Sequence, residues 1–310
     1  MSSGIPGSAL LLNASGCLDA LAAPEVVRAL DAFVTKTITP EPREGNPPPR
    51  VAEAEGGMLN SIGLQGPGID RFLVETLPRL HQLEMPIWVS VGGFSAREYA
   101  ETCARLDGAV VAAIELNLSC PNVEEAPETA AEIVAACRGR TGKPLFAKLS
   151  PATWDIGGTA RAVESAGADG LSLVNTLRGL ALGERTLRPG LGAGAGGYSG
   201  PPLRPIALAC VHACARAVTL PIVAMGGVMT GRDALDLIAA GASAVALGTV
   251  LFPDPGAPAR IRAELDASAA AFGFAEPLLA RGVASNPLPR EAVPELTTAK
   301  DLQMRKIDLA

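Results

Sequence analysis

Apolar runs of strand length recur along the chain at 11–14, 33–36, 87–91, 113–118, 145–149, 170–175, 221–225 and 244–247. They are nearly continuous in Ala, Val, Leu and Ile rather than alternating with polar residues, the pattern of parallel strands covered on both faces. Amphipathic or alanine-rich stretches with helical spacing separate them, at 24–32, 68–83, 96–106, 127–138, 157–166, 203–217 and 231–240. Strand and helix alternating around eight strands predict an α/β fold, a (β/α)8 barrel, with chemistry at the C-terminal ends of the strands.

Three segments break this rhythm: 39–63, rich in Pro and Gly; the residues after Cys120; and 178–202, which contains Gly192-Ala193-Gly194-Ala195-Gly196-Gly197. All three are expected as long loops over the C-terminal mouth, because long ordered loops in a compact domain are usually functional. A disordered tether is the competing reading of the glycine-rich piece. Residues 1–280 are expected to form one barrel domain, and 281–310 a Pro-containing, charged tail with no barrel role.

Composition narrows the function class. Of 310 residues 48% are hydrophobic but only 4% aromatic, so the core must be aliphatic. The net charge of −6, with basic residues scattered, argues against a nucleic-acid footprint. The six cysteines contain no Cys-x-x-Cys pair, and read as reduced thiols rather than a disulfide framework or cluster ligands. No metal site is expected: Cys210 and Cys214 lie one helical turn apart, without a fourth ligand beside His212. No stretch approaches the ~18 apolar residues of a membrane span, and the start lacks a basic n-region. A cytoplasmic protein with neither membrane nor nucleic-acid partner is the expectation.

Candidate chemistry clusters at the strand ends. Asn117-Leu118-Ser119-Cys120-Pro121-Asn122 follows the fourth apolar run and sets a thiol between two carboxamides. Such a thiol can exchange a proton with a substrate if its environment tunes it. Asn60 and Asn175-Thr176 add further carboxamides at other strand ends, and together the four suit the carbonyls and NH groups of a planar ring. Lys36 and Lys148 lie in or beside apolar strands, where a cation needs an anionic partner: a structural carboxylate, or a negatively charged cofactor or substrate. Met225-Gly226-Gly227 and Leu247-Gly248-Thr249 end the seventh and eighth runs, where such barrels place a phosphate site.

Taken together, these motifs resemble the class 1 dihydroorotate dehydrogenases. The resemblance rests on Asn13-Ala14-Ser15-Gly16-Cys17, Lys36-Thr37-Ile38-Thr39, Gly45-Asn46-Pro47-Pro48-Pro49-Arg50, Asn60-Ser61-Ile62-Gly63-Leu64, Asn117 to Asn122, Lys148-Leu149-Ser150-Pro151, Asn175-Thr176, Ser199-Gly200-Pro201, Met225-Gly226-Gly227 and Gly248-Thr249. They occur in family order from about residue 10 to 255. Gln65-Gly66-Pro67-Gly68 resembles the B subclass more than the fumarate-using A subclass.

The resemblance implies an FMN enzyme that oxidises dihydroorotate to orotate in pyrimidine biosynthesis. Cys120 matches the base that removes the proton from substrate C5, while C6 delivers hydride to the flavin. Asn60, Asn117, Asn122, Asn175 and Thr176 match the substrate-binding set. Lys36 matches a lysine near both flavin and substrate, and Lys148 the lysine beside the flavin N1 and C2 carbonyl. Ala14, Ser15, Gly16, Lys36, Asn117, Lys148, Val174, Gly200, Gly226, Gly227, Gly248 and Thr249 match cofactor contacts. The B subclass further implies a homodimer and a separate subunit carrying FAD and a [2Fe-2S] cluster that passes electrons to NAD. The segment after Asn122 is short for the family, with Val123-Glu124-Glu125-Ala126 running into a helix expected near Pro127. Two other readings of the same residues are an FMN reductase of dihydropyrimidine or dihydrouridine type and a flavin-binding scaffold subunit.

Overall fold

Parallel strands covered by helices on one side and by each other's side chains on the other build the molecule. In the computed structural model the described residues are 5, 10–118 and 129–285. The eight apolar runs become β1 (Leu11–Asn13), β2 (Phe33–Val34), β5 (Ile87–Val91), β6 (Ala113–Asn117), β7 (Leu145–Leu149), β8 (Gly170–Leu173), β11 (Ile222–Ala224) and β12 (Ala244–Leu247). They pair in the order β1-β12-β11-β8-β7-β6-β5-β2, all parallel.

Closure between β2 and β1 is made largely by a side chain. Leu12 bridges Ala32, and beyond it the buried Asn13 carboxamide stands in for a peptide unit. Its Nδ2 donates to the Val34 carbonyl at 2.8 Å and its Oδ1 accepts from the Val34 amide at 2.9 Å. The sheet thus becomes a closed (β/α)8 barrel.

Register sorts the interior into levels. Toward the N-terminal ends of the strands, Leu12, Val34, Trp88, Ala113, Phe146, Val223 and Ala244 form an apolar plug that also includes Ile5. Trp88 and Phe146 meet with ring centroids 4.5 Å apart. Gly170 faces Phe146, and a Cβ there would come within 2.1 Å of its ring, so only glycine fits. One level toward the C-terminal ends the inward positions turn polar: Ser90 pairs in register with Glu115, and Lys148 with Ser172.

Segments 39–63 and 178–202 are not simply loops. They contribute β3 (Val51–Ala54), β4 (Gly57–Asn60) and β10 (Gly196–Ser199), which join β9 (Leu177–Gly179) in an antiparallel sheet of order β3-β4-β10-β9. None of these strands carries an apolar face long enough to announce itself. Gly192, Gly196 and Gly197 serve close approach rather than a tether: a Cβ on Gly197 would lie 2.0 Å from Thr176 Oγ1.

The helices also differ in detail. The stretch 24–32 is helical only over Pro24–Val27. The stretch 68–83 divides into Ile69–Arg71, a π-helical turn Phe72–Thr76, and Leu77–His81. Pro78 explains the division, because it lacks an N–H and crowds the carbonyl four residues back. The helix expected from 127 runs over Ala130–Arg138, where Thr129 and Glu132 form a capping box. An eighth barrel helix, Ala257–Ala271, follows β12 and buries Ala257, Ile261, Leu265 and Ala269 at four-residue spacing. The start of the tail packs on the barrel: Arg281 Nε donates to the Gly241 carbonyl and the Gly282 amide to that of Ile238, both at 3.2 Å. Among the described residues no helix is long and apolar enough to cross a membrane.

Candidate functional site

The polar level of the barrel interior opens at the C-terminal strand ends into a cavity of about 660 Å³, roofed in part by the antiparallel sheet. That size lies within the range of small-molecule and cofactor sites. Ala14, Ser15, Gly16, Lys36, Asn60, Asn117, Lys148, Val174, Asn175, Thr176, Gly200, Gly226, Gly227, Gly248 and Thr249 all line it. They come from positions far apart in sequence, and the strand ends are what bring them together. Cys120 and Asn122, the remaining two of the predicted set, lie outside the described residues.

The carboxamides are held by a network that starts from small hydroxyls in the strands. Ser90 Oγ and Thr37 Oγ1 lie 3.1 Å apart, and Thr37 Oγ1 accepts from Asn117 Nδ2 at 3.2 Å. Asn117 Oδ1 accepts from Asn175 Nδ2 at 2.9 Å, and Asn175 Oδ1 accepts from the Thr176 amide at 2.8 Å. Behind them the hydroxyl of buried Tyr99 donates to the Asn117 carbonyl at 2.6 Å. Asn60 Nδ2 donates across the small sheet to the Gly197 carbonyl at 3.3 Å. Each amide is thereby oriented before anything binds, which reduces the ordering cost of recognition.

Two cations face the same space. Lys36 packs its stem over Gly16, where a Cβ would come within 3.0 Å of its Cδ. Lys148 is buried in the cavity wall, with its Nζ 3.4 Å from Glu115 Oε1. The Cys17 thiol lines the cavity too; burial pushes its pKa up, while Lys148 and then Lys36 pull it down and Glu115 raises it further.

At the opposite end, Gly200, Gly226 and Gly227 have φ of 107°, 121° and 76°, a region closed to side chains without strain. A Cβ on Gly227 would also press within 2.7 Å of the Arg204 amide nitrogen. Beside them Thr249 Oγ1 donates to Ser199 Oγ at 2.9 Å, at the start of a short helical turn Thr249–Leu251. Bare backbone at a turn opening is suited to a phosphate. The residues therefore fit a ligand with a polar ring at one end and a phosphate at the other.

Several lining residues escaped the sequence reading. Thr37 lies just past the run 33–36, and Ser199 and Arg43, the latter stacking 4.4 Å over the Phe94 ring, lie in stretches expected to be loop. Glu115 did carry a signal, a carboxylate inside an apolar run. Cys210 and Cys214 are buried on their helix, and among the described residues no cluster could hold a metal.

The protein-family model described as "Dihydroorotate dehydrogenase" matches residues 7–268. The "Dihydroorotate dehydrogenase B (NAD(+)), catalytic subunit" of Geobacillus kaustophilus is 44% identical over 277 residues, covering 85% of this chain and 88% of that protein. A "Putative dihydroorotate dehydrogenase A (fumarate)" of Solibacter usitatus is 47% identical over 247 residues, covering 77% and 81%. Among solved structures, a crystal structure of DHODH in complex with ferulenol from Eimeria tenella superposes with a TM-score of 0.76 at 24% identity, covering 91% of this chain and 89% of that one. This last likeness is one of fold.

Proposed function

This chain belongs to the dihydroorotate dehydrogenase family, and we propose that it oxidises dihydroorotate to orotate in pyrimidine biosynthesis with FMN bound in the cavity at the barrel mouth. The observation that carries the reading is the convergence of three oriented carboxamides, two lysines and a glycine-lined end on one cavity. FMN, when bound, supplies the acceptor of the substrate hydride.

The chain's own residues supply the rest. Asn60, Asn117, Asn175 and Thr176, with Asn122, bind the substrate ring; Thr37 presets the Asn117 carboxamide, and Asn117 that of Asn175. Cys120 takes the C5 proton as general base. Lys36 sits where cofactor and substrate meet, and Lys148 places positive charge where electrons arrive. Gly200, Gly226, Gly227, Gly248 and Thr249 hold the phosphate; Ala14, Ser15, Gly16 and Val174 contact the rest of the cofactor.

The NAD-linked B form is favoured. The Geobacillus kaustophilus relative and one from Listeria monocytogenes, 42% identical over 284 residues, are both named catalytic subunits of the B enzyme. A catalytic subunit implies a partner, and we assign to it the FAD and [2Fe-2S] relay; a homodimer of this chain at the core and a cytoplasmic location belong to the same reading. Residues 1–280 would be the FMN domain. Adding dihydroorotate anaerobically to the purified yellow protein tests the reading: rapid bleaching is expected, and bleaching by a dihydropyrimidine or dihydrouridine donor alone would overturn it. Turnover with fumarate and without an iron-sulfur flavoprotein would move the chain to the A form.

A further inference from the structure

Lys148 does not face the cavity alone. Its strand neighbour Glu115, 1% exposed, sits inside the barrel one level below Asn117, and one carboxylate oxygen lies 3.4 Å from Lys148 Nζ. Lys148 lines the cavity and Glu115 does not, so the carboxylate backs the ammonium from the closed side. Ser172, paired in register with Lys148, has its hydroxyl buried without a hydrogen-bond partner among the described residues, and Trp88 and Phe146 fill the level beneath. A lone cation in that wall would act on a bound ligand at full strength. With a carboxylate oxygen 3.4 Å away, part of its charge is offset. Both charges bear on the cavity wall: beside the dominant effect of burial, Lys148 lowers the Cys17 thiol pKa and Glu115, to a smaller extent, raises it.

We propose that Glu115 is a positioning residue that sets the reduction potential of the flavin, holding Lys148 in place and cancelling part of its charge. The inference rests on the FMN reading above. Reduction adds negative charge to the ring, and a nearby cation favours the reduced form. Removing the carboxylate leaves the cation unopposed and makes the flavin easier to reduce. It also makes passage of electrons to a low-potential acceptor less favourable. At an effective dielectric near 20, removing one unit charge from beside a redox group shifts such an equilibrium by about a factor of ten.

The test is the midpoint potential of the FMN-loaded full chain, measured by slow reduction against a reference dye with no dihydroorotate present. Glu115→Gln is expected to shift the equilibrium about tenfold toward reduced flavin, roughly 30 mV upward for a two-electron couple. Glu115→Asp, which retracts the charge from Lys148 by one methylene, is expected to shift it in the same direction by about threefold. Cavity packing alone would not order the two variants by charge. A Gln variant that keeps its flavin within twofold of the wild-type equilibrium overturns the proposal. If the Gln variant is recovered without flavin, the Asp variant decides, and an unchanged value overturns it. Because the readout omits substrate, a failure of the dihydroorotate assignment leaves this result standing, whereas wild-type protein unable to bind FMN overturns both.

Discussion

Asn13→Ala should open the barrel at its β1–β2 seam. The side chain is fully buried and satisfies both the amide and the carbonyl of Val34, itself 2% exposed. Alanine cannot replace either bond. Leaving one buried backbone group unpaired costs about 1–3 kcal/mol, so two give about 2–6 kcal/mol. That is a large share of the roughly 5–15 kcal/mol that holds a typical domain folded. At about 2–4 °C per kcal/mol for a protein of this size, the melting temperature of the apoprotein should fall by at least about 4 °C. Asn13→Asp keeps the acceptor for the Val34 amide and, with its carboxyl protonated at low pH, an O–H donor for the Val34 carbonyl, so it should fall between Ala and wild type there. Calorimetry on the flavin-free chain reads the effect directly, and FMN should restore part of the loss because Ala14 to Gly16 lie next in sequence. A loss under about 1 kcal/mol for Asn13→Ala would mean that the strands close through backbone alone.

Other substitutions probe separate parts of the account. Gly170→Ala places a methyl where the Phe146 ring already lies, and should lower stability by about 1–3 kcal/mol or more, measured by denaturant unfolding. Cys120→Ser should retain FMN yet slow flavin reduction steeply near neutral pH, since a hydroxyl is a much weaker acid than a thiol; an unchanged stopped-flow rate removes Cys120 from the proton transfer. Glu264 accepts from the Gly231 amide and from Arg260, which hold its carboxyl below the usual range. Its contribution is therefore present above the unfolded carboxylate pKa and lost as pH falls through the lowered folded value. Glu264→Gln should melt below wild type at neutral pH, with the gap closing in acid; a gap independent of pH would contradict this.

How much of this was legible beforehand depends on what each residue packs against. The barrel strands read clearly because both faces are buried, leaving unbroken apolar runs; 87–91, 145–149 and 244–247 coincide with β5, β7 and β12. The β3-β4-β10-β9 sheet did not, because its strands are half-exposed and joined through glycines whose role is contact across the sheet. Ala257–Ala271 gives a weak signal for a related reason: only Ile261 and Leu265 are large apolar residues in its buried stripe, and alanines lie on both faces. In the site, lysines and glycines stood out because they interrupt strands, and the structure brings them to one cavity. The hydroxyls that orient the amides give no such signal, since Ser90 is an ordinary strand residue and Thr37 lies in the chain just past β2. Glu115 was visible in sequence, but its meaning depends on the register that sets Lys148 beside Asn117 on the neighbouring strand.

The most direct test of the central assignment is an anaerobic titration of the purified, FMN-loaded chain with dihydroorotate, followed by visible absorbance. One equivalent should bleach the flavin, with orotate formed in equal amount. Flavin that stays oxidised under excess dihydroorotate, yet is reduced by dithionite, would contradict the assignment.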